Sequence, residues 1–216
     1  GSRILASTYN EPLITSEWAV EIFRLARREH MLTTFVSNGF ASPEALDYIA
    51  PWLDAMNVDL KCFTEKGYQW LGGRLAPVLE TIRRLWARGV WVEVITLVVP
   101  EFNDSVKELG AAAEFLASVS SDLPWHVTAY HAAYKFEGGV PFTPAARLAE
   151  AVAVGRKAGL RHVYAGNLRG LGEGESTLCH QCGRRLVARE GFAVVENVLR
   201  GGRCPDCGVA VAGRWG

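Results

Sequence analysis

Short β-rich runs alternate with longer amphipathic stretches over the first 167 residues, and this alternation restricts the fold of the chain more than any other feature. Within the stretches, apolar side chains recur at helical spacing, as at Trp18, Ile22 and Leu25. Strands that alternate with helices form βαβ units, which build a parallel sheet. The sequence therefore predicts an α/β fold in which five or six units form an open or partial barrel, not a complete eightfold one. The predicted strands are residues 4–9, 33–36, 55–60, 92–99, 125–130 and 162–165.

Composition and charge exclude several classes of protein. The chain is 49% apolar, which excludes a disordered protein, and its longest apolar run, residues 94–100, is far shorter than a membrane-spanning helix. The 23 basic and 23 acidic residues give zero net charge, which argues against non-specific nucleic-acid binding. The sequence shows no secretory segment, so we expect a cytoplasmic protein with neither membrane nor nucleic-acid partners.

The five cysteines comprise two C-x-x-C pairs and one separate residue, Cys62. In a protein without a secretory signal, such pairs favour a metal site over disulfides. Four thiolates brought together by a hairpin form the tetrahedral site that suits zinc, and a rubredoxin-like iron site is the alternative. The predicted metal ligands are Cys179, Cys182, Cys204 and Cys207.

A change of composition divides the chain near its C-terminal end. Residues 170–176 are mostly glycine and glutamate, which is typical of a linker. We therefore expect one domain over residues 1–170 and a small β ribbon over residues 177–216, with a hairpin in residues 186–198. The charge of the ribbon is too small for phosphate binding, so we expect a structural or protein-docking role.

Polar side chains follow most of the predicted strands, at the edge of the sheet where parallel α/β proteins bind ligands. Asp59 and Lys61 share one face in the two-residue period of a strand, and burying both charges is costly unless they are paired or bound to a ligand. The alternative is that these polar groups are ordinary turn residues. His126 and His162 lie within apolar strands, and we expect them to be packed strand residues. The candidate residues at this edge are Asn10, Glu11, Ser37, Asn38, Asp59, Lys61 and His131.

The order and spacing of these motifs resemble the radical S-adenosylmethionine (SAM) enzymes of the pyruvate formate-lyase activating type. The closer resemblance is to the radical SAM protein of the AmmeMemoRadiSam system, over residues 54–61, residues 159–167 and the terminal cysteine pairs. The motifs that carry the resemblance are Tyr9-Asn10-Glu11-Pro12, Ser37-Asn38-Gly39, Asp59-Leu60-Lys61, Val98-Val99-Pro100 with Asn103-Asp104, and Tyr130-His131.

The resemblance implies an enzyme whose [4Fe-4S] cluster reductively cleaves SAM, so that the resulting radical abstracts hydrogen from a substrate. It implies that Asn10 and Glu11 receive the SAM amino group and that Ser37 and Asn38 flank it. It assigns Asp59 and Lys61 to the ribose hydroxyls and the methionine carboxylate. By the same resemblance His131 lies near the SAM tail, and Thr96 is a further candidate lining residue.

The sequence departs from the family in one respect, because it contains no C-x-x-x-C-x-x-C motif to hold the cluster. Asn10 and Glu11 match the family's second strand. We therefore expect residues 1–216 to be a fragment that lacks the first βα unit and cannot perform the redox step alone. Val36 stands where some relatives carry a carboxylate for a monovalent cation, so the resemblance leaves the presence of a cation site open.

Three functions stay open at this point. The first is the SAM-binding part of a radical SAM enzyme that acts on an unidentified substrate, with proteins as one substrate class. The second is a non-catalytic SAM-fold scaffold or a zinc-ribbon module that binds a partner. The third is an unrelated α/β-barrel enzyme. The resemblance further implies Memo-like and AMMECR-like partners.

Overall fold

The computed structural model describes residues 1–133, 139–168, 170, 172–191 and 193–215. The chain divides into two compact units, Gly1–Ile95 and Thr96–Gly216. Leu171 of the predicted linker and Phe192 of the predicted hairpin lie outside the described residues. The predicted boundary between residues 170 and 177 stays a prediction.

Strands and helices alternate through both units, as the sequence predicts. In the large sheet, hydrogen bonds join neighbouring strands in the order β1-β2-β3-β4-β5-β6. The strands are β1 Ile4–Ser7, β2 Leu32–Ser37, β3 Ala55–Asp59, β4 Trp91–Val98, β5 Trp125–Ala129 and β6 Val163–Gly166. The helices are α1 Ser16–Arg28, α2 Pro43–Ile49, α3 Glu65–Trp70, α4 Leu75–Ala87, α5 Val106–Val119 and α6 Ala145–Lys157. Short 3-10 helices cover Pro12–Thr15, Ala50–Trp52 and Gly172–Glu175.

The first unit holds β1, β2, β3 and the first five residues of β4, Trp91–Ile95, in parallel register. Alternate side chains of β2, β3 and β4 are buried, as at Met56 and Val58, while the residues between them are half-buried apart from the exposed Leu32 and Leu97. On the buried face α1 packs against β2, where the Phe23 and Phe35 rings lie 5.5 Å apart. The opposite face of β3 and β4, with Asn57 and Asp59, is the more open one, and we call it the open face.

The second unit contains the parallel pair β5 and β6, with α6 packed closely on one side. A Cβ added to Gly155 of α6 would lie 2.9 Å from both Trp125 and Val163, so only glycine permits this approach. Tyr164 and His126 lie on the other face of these two strands, which we call the open face of β5 and β6.

A three-stranded antiparallel sheet follows in the same unit, with β7 Thr177–Leu178, β8 Arg185–Glu190 and β9 Ala193–Asn197. This arrangement confirms the predicted ribbon and its hairpin. Its small core includes two of the cysteines together with Leu186, Val187 and Val211. Within the described ranges, every helix is too short or too polar to serve as a transmembrane span.

Candidate functional site

Glu11 connects the carboxyl ends of β1 and β2. Its Oε1 accepts hydrogen bonds from the Ser37 hydroxyl at 2.6 Å and from the Leu13 N–H at 3.1 Å. Its Oε2 accepts a hydrogen bond from the Asn38 N–H at 2.8 Å. A carboxylate offers about four acceptor positions, so these three bonds hold the group in place and leave capacity for one more donor. The structure thus brings Glu11, Ser37 and Asn38 together.

The turn after β2 presents the Asn38 N–H to Glu11, and Gly39 makes this turn possible. Gly39 has φ +68°, and a Cβ there would lie 2.6 Å from Val58 Cγ1. The Ser37 hydroxyl also accepts a hydrogen bond from the Gly39 N–H at 3.0 Å. Asn38 Oδ1 accepts one from the Phe40 N–H at 2.8 Å, so both polar side chains also stabilise the turn. Asn10 directly precedes Glu11 and is exposed.

Asp59 and Lys61 form an ion pair at the carboxyl end of β3. Lys61 Nζ lies 2.5 Å from Asp59 Oδ2, and the side chains are 45% and 30% exposed. The Lys61 N–H donates a hydrogen bond to the Tyr68 hydroxyl at 3.2 Å. Burial raises the pKa of the Tyr68 phenol, which therefore stays neutral. The pair is anchored through its backbone, and both charged groups remain accessible to a ligand.

Glu93 is a further candidate binding residue that the sequence motifs did not indicate. In the register of β3 and β4 it lies directly beside Asn57, on the same open face as Asp59. Its Oε1 accepts a hydrogen bond from the Trp91 indole N–H at 2.9 Å. The available signal was a carboxylate in the middle of an otherwise apolar strand, which requires a partner or an open side. The open face of the first unit therefore carries Asn57, Asp59 and Glu93.

Two predicted SAM-lining residues belong to the second unit. Thr96 is 3% exposed, and its hydroxyl accepts a hydrogen bond from the Trp125 indole N–H at 3.0 Å. Thr96 is therefore a buried core residue and does not lie on a half-open surface. His131 follows β5 and is exposed. Their roles toward SAM stay predictions.

The four ribbon cysteines converge on one point. All four sulfur atoms lie within 4.8 Å of one another, with Cys179 to Cys207 at 3.5 Å and Cys182 to Cys204 at 3.7 Å. A tetrahedral zinc site with bonds of about 2.3 Å places its sulfurs about 3.8 Å apart, which matches these distances. The residues therefore fit a tetrathiolate metal ion.

The two cysteine pairs have the same backbone geometry. The Gly183 N–H donates to the Cys179 carbonyl at 2.9 Å, and the Gly208 N–H donates to the Cys204 carbonyl at 3.0 Å. Both glycines have positive φ, +74° and +73°, which the tight turn requires. This repeated geometry is typical of paired metal-binding turns in zinc ribbons.

Backbone donors favour the thiolate form of Cys179, whereas the neighbouring cysteine side chains raise the pKa values of Cys182 and Cys207. Burial raises the pKa of the Cys179 thiol, but the N–H groups of Cys182 and Gln181 outweigh it and bring the pKa down to about 7. Thiolate is the form that binds metal. Arg184 and Asp206, one beside each pair, form an ion pair at 2.5 Å.

The same cysteines do not fit an additional [4Fe-4S] cluster. Four of the five form the tetrathiolate site, and the fifth, Cys62, is 3% exposed and lies in the first unit. A radical SAM cluster needs three cysteine ligands, so this chain does not provide a cluster site.

Comparison with known proteins decides the family. The model of the radical SAM superfamily matches residues 1–115. The chain belongs to the radical SAM superfamily. An uncharacterized protein of Methanocaldococcus jannaschii is 33% identical over 207 residues, covering 94% of this chain and 61% of that protein. The isethionate sulfite-lyase activating enzyme of Oleidesulfovibrio alaskensis is 27% identical over 122 residues, covering 54% of this chain and 40% of that enzyme. This radical SAM chain thus spans 61% or less of the length of either relative.

Solved structures of other proteins share the fold of this chain. A domain of a pyruvate-formate lyase-activating enzyme from Bacteroides vulgatus has a TM-score of 0.65 at 17% identity, covering 77% of this chain and all of that domain. A radical SAM methyltransferase from Sphaerobacter thermophilus has a TM-score of 0.60 at 16% identity, covering 73% of this chain and 49% of that enzyme. The predicted radical SAM family and α/β fold are confirmed, and the narrower AmmeMemoRadiSam assignment stays a prediction.

Proposed function

We propose that this chain is the SAM-binding part of a radical SAM enzyme and that its first unit holds the charged amino-acid end of SAM. The observation that carries the proposal is the Glu11 carboxylate, fixed by Ser37 and Asn38 at the carboxyl ends of β1 and β2. The Asp59–Lys61 pair at the end of β3 supports it. Neighbouring parallel strands end at one edge of a sheet, where α/β proteins bind their ligands.

The chemistry of these groups suits an amino-acid zwitterion. Glu11 has acceptor capacity for one further donor, which an ammonium group can use. Lys61 offers an ammonium to a carboxylate, while Asp59 offers acceptors to hydroxyl groups. A bound SAM molecule would compete with the Asp59–Lys61 contact, which is partly exposed and therefore weak.

The reductive cleavage of SAM needs a [4Fe-4S] cluster, and we assign no step through it to these residues. We propose that the cluster is held by a further βα unit that packs beside β1. Three observations on the first unit support this. β1 is an edge strand of the large sheet, Ile4 on β1 is 55% exposed, and on α1 Trp18 and Leu25 are 70% and 59% exposed. A βα unit beside β1 would cover both the strand edge and this apolar helix surface.

Titration calorimetry with SAM tests the proposal on the 216-residue chain. We expect saturable binding of one SAM per chain, and about tenfold weaker binding in Asp59→Asn. The matched control is Asp47→Asn, because Asp47 is an exposed carboxylate on α2 that pairs with Arg88. Absence of binding at millimolar SAM, or equal affinities of the two variants, contradicts the proposal.

A non-catalytic SAM-fold scaffold is the second candidate, and the allocation of four cysteines to the ribbon favours it for this chain alone. Reconstitution with iron and sulfide under a chemical reductant separates the two functions. We expect the 216 residues to bind SAM without cleaving it. A form of the protein that also contains the proposed cluster-binding βα unit, and that binds SAM without cleaving it, would favour the scaffold.

A further inference from the structure

The metal ribbon contacts β6 through Arg189, Thr177 and Tyr164. The Tyr164 and Thr177 hydroxyls share a hydrogen bond of 3.0 Å. Arg189 Nη1 donates to the same Thr177 oxygen at 2.8 Å, and the Arg189 guanidinium carbon lies 5.6 Å from the centre of the Tyr164 ring. Tyr164 is thus held by a hydrogen bond and a cation–π contact, both from the ribbon.

His126 extends this contact along the open face of β5 and β6. It is the register partner of Tyr164, and the two ring centres lie 5.1 Å apart with an interplanar angle of 31°. The neighbouring residues Trp125 and Val163 point the other way, toward Gly155 of α6. Both rings are half-buried, and the ribbon packs over Tyr164.

Thr177 and Arg189 lie on the two strands that flank Cys179. Thr177 lies two residues before Cys179, whose N–H donates to the Arg184 carbonyl at 2.7 Å and so fixes the start of β8. The core of the ribbon is small, and two of its buried members are the ligands Cys179 and Cys204. A core of this size needs a bound metal to hold its strands in register.

We propose that the tetrathiolate metal site positions Tyr164 and His126 on the open face of β5 and β6, acting through Thr177 and Arg189. The metal fixes the ribbon, the ribbon fixes Arg189 against the Tyr164 ring, and Tyr164 then orients His126. Arg189 is accordingly a positioning residue. This role goes beyond the proposed function, because it involves the second unit only and requires neither SAM nor a cluster.

Nuclear magnetic resonance of the histidine and tyrosine ring protons tests the proposal on the metal-loaded 216-residue chain. His126→Gln and Tyr164→Phe assign the two rings, whose proximity should give cross-relaxation between them. We expect removal of the metal by a chelator to shift both sets of signals and abolish the cross-relaxation, and addition of zinc to restore them.

Two variants keep the test independent of unfolding of the ribbon. Arg189→Gln should retain one metal ion per chain yet displace the Tyr164 and His126 signals toward their metal-free positions. Arg185→Gln is the matched control, because Arg185 lies on the same strand and pairs instead with Glu196 at 3.9 Å. Signals that do not move on metal removal, or that are equal in the two variants, overturn the proposal.

Discussion

The Glu11 carboxylate accepts a 2.6 Å hydrogen bond from the Ser37 hydroxyl, although the two residues lie 26 positions apart in the sequence. The bond joins the loop after β1 to the loop after β2. It is reinforced by the bond from the Asn38 N–H to the other carboxylate oxygen. The predicted SAM-amino site is therefore a preformed carboxylate whose position is set by two neighbouring strands.

Replacing Glu11 by glutamine should weaken both the fold and SAM binding. The amide nitrogen would face a backbone N–H donor, that of Asn38 in one orientation and that of Leu13 in the other, which costs about 1–3 kcal/mol of unfolding free energy. SAM affinity should fall about tenfold or more, because the ligand ammonium loses a charged acceptor. Urea unfolding and titration calorimetry measure the two effects. Glu17→Gln, an exposed change on α1, is the control, and equal behaviour of the two variants would refute the role of Glu11.

Replacing Lys61 by methionine should separate binding from stability. The Asp59–Lys61 pair is substantially exposed, so its loss should change the free energy of unfolding by less than about 1 kcal/mol. SAM affinity should decrease about tenfold, because the ligand carboxylate loses its cation. Lys66→Met on α3 provides the comparison. A large loss of stability without a loss of affinity would show that Lys61 is structural.

Gly39→Ala should destabilise the protein more than Gly72→Ala. Both glycines have positive φ, but an added Cβ meets Val58 at 2.6 Å only at position 39. Backbone strain alone should cost about 1 kcal/mol at position 72, and the clash should raise the cost to about 2–4 kcal/mol at position 39. Urea unfolding of both variants gives the difference. Equal costs would mean that the turn after β2 relaxes freely.

The ribbon should bind one zinc ion per chain. Elemental analysis of the purified chain measures the metal, and absorption in the visible range would reveal iron instead. Cys204→Ser should lose the metal because a tetrathiolate site needs all four ligands, whereas Cys62→Ser should retain it. Disulfides in place of four thiols, or metal retained by Cys204→Ser, would disprove the assignment.

Thr96→Val should leave the buried Trp125 indole N–H without its acceptor and cost about 1–3 kcal/mol of unfolding free energy. Thr96→Ser keeps the acceptor oxygen and should cost less. Thermal or urea unfolding distinguishes the two variants. Equal stabilities would indicate that the indole finds another acceptor, and the SAM affinity of both variants tests the predicted lining role of Thr96.

Most of the secondary structure could be predicted because it depends on local patterns. All six predicted strands exist, with ends within two residues of their predicted positions, since apolar runs and turn residues act over a few neighbours. Helix ends also depend on nearby residues: the Ser105 hydroxyl caps α5 by accepting the Glu108 N–H, and Gly89 and Gly159 follow α4 and α6 with positive φ. The spacing of the cysteine pairs predicted the metal site for the same reason.

Local sequence patterns were enough to indicate the βαβ alternation, the polar residues at the strand ends and the four cysteines of the candidate metal site. Tertiary packing alone accounts for three sets of contacts: Glu11 with Ser37 and Asn38, Thr96 with Trp125, and Arg189 with Tyr164. These contacts join residues between 25 and 29 positions apart, so they depend on strand register and on which face of a strand is covered. Periodicity within a short segment describes neither of these, because both are set by packing between elements.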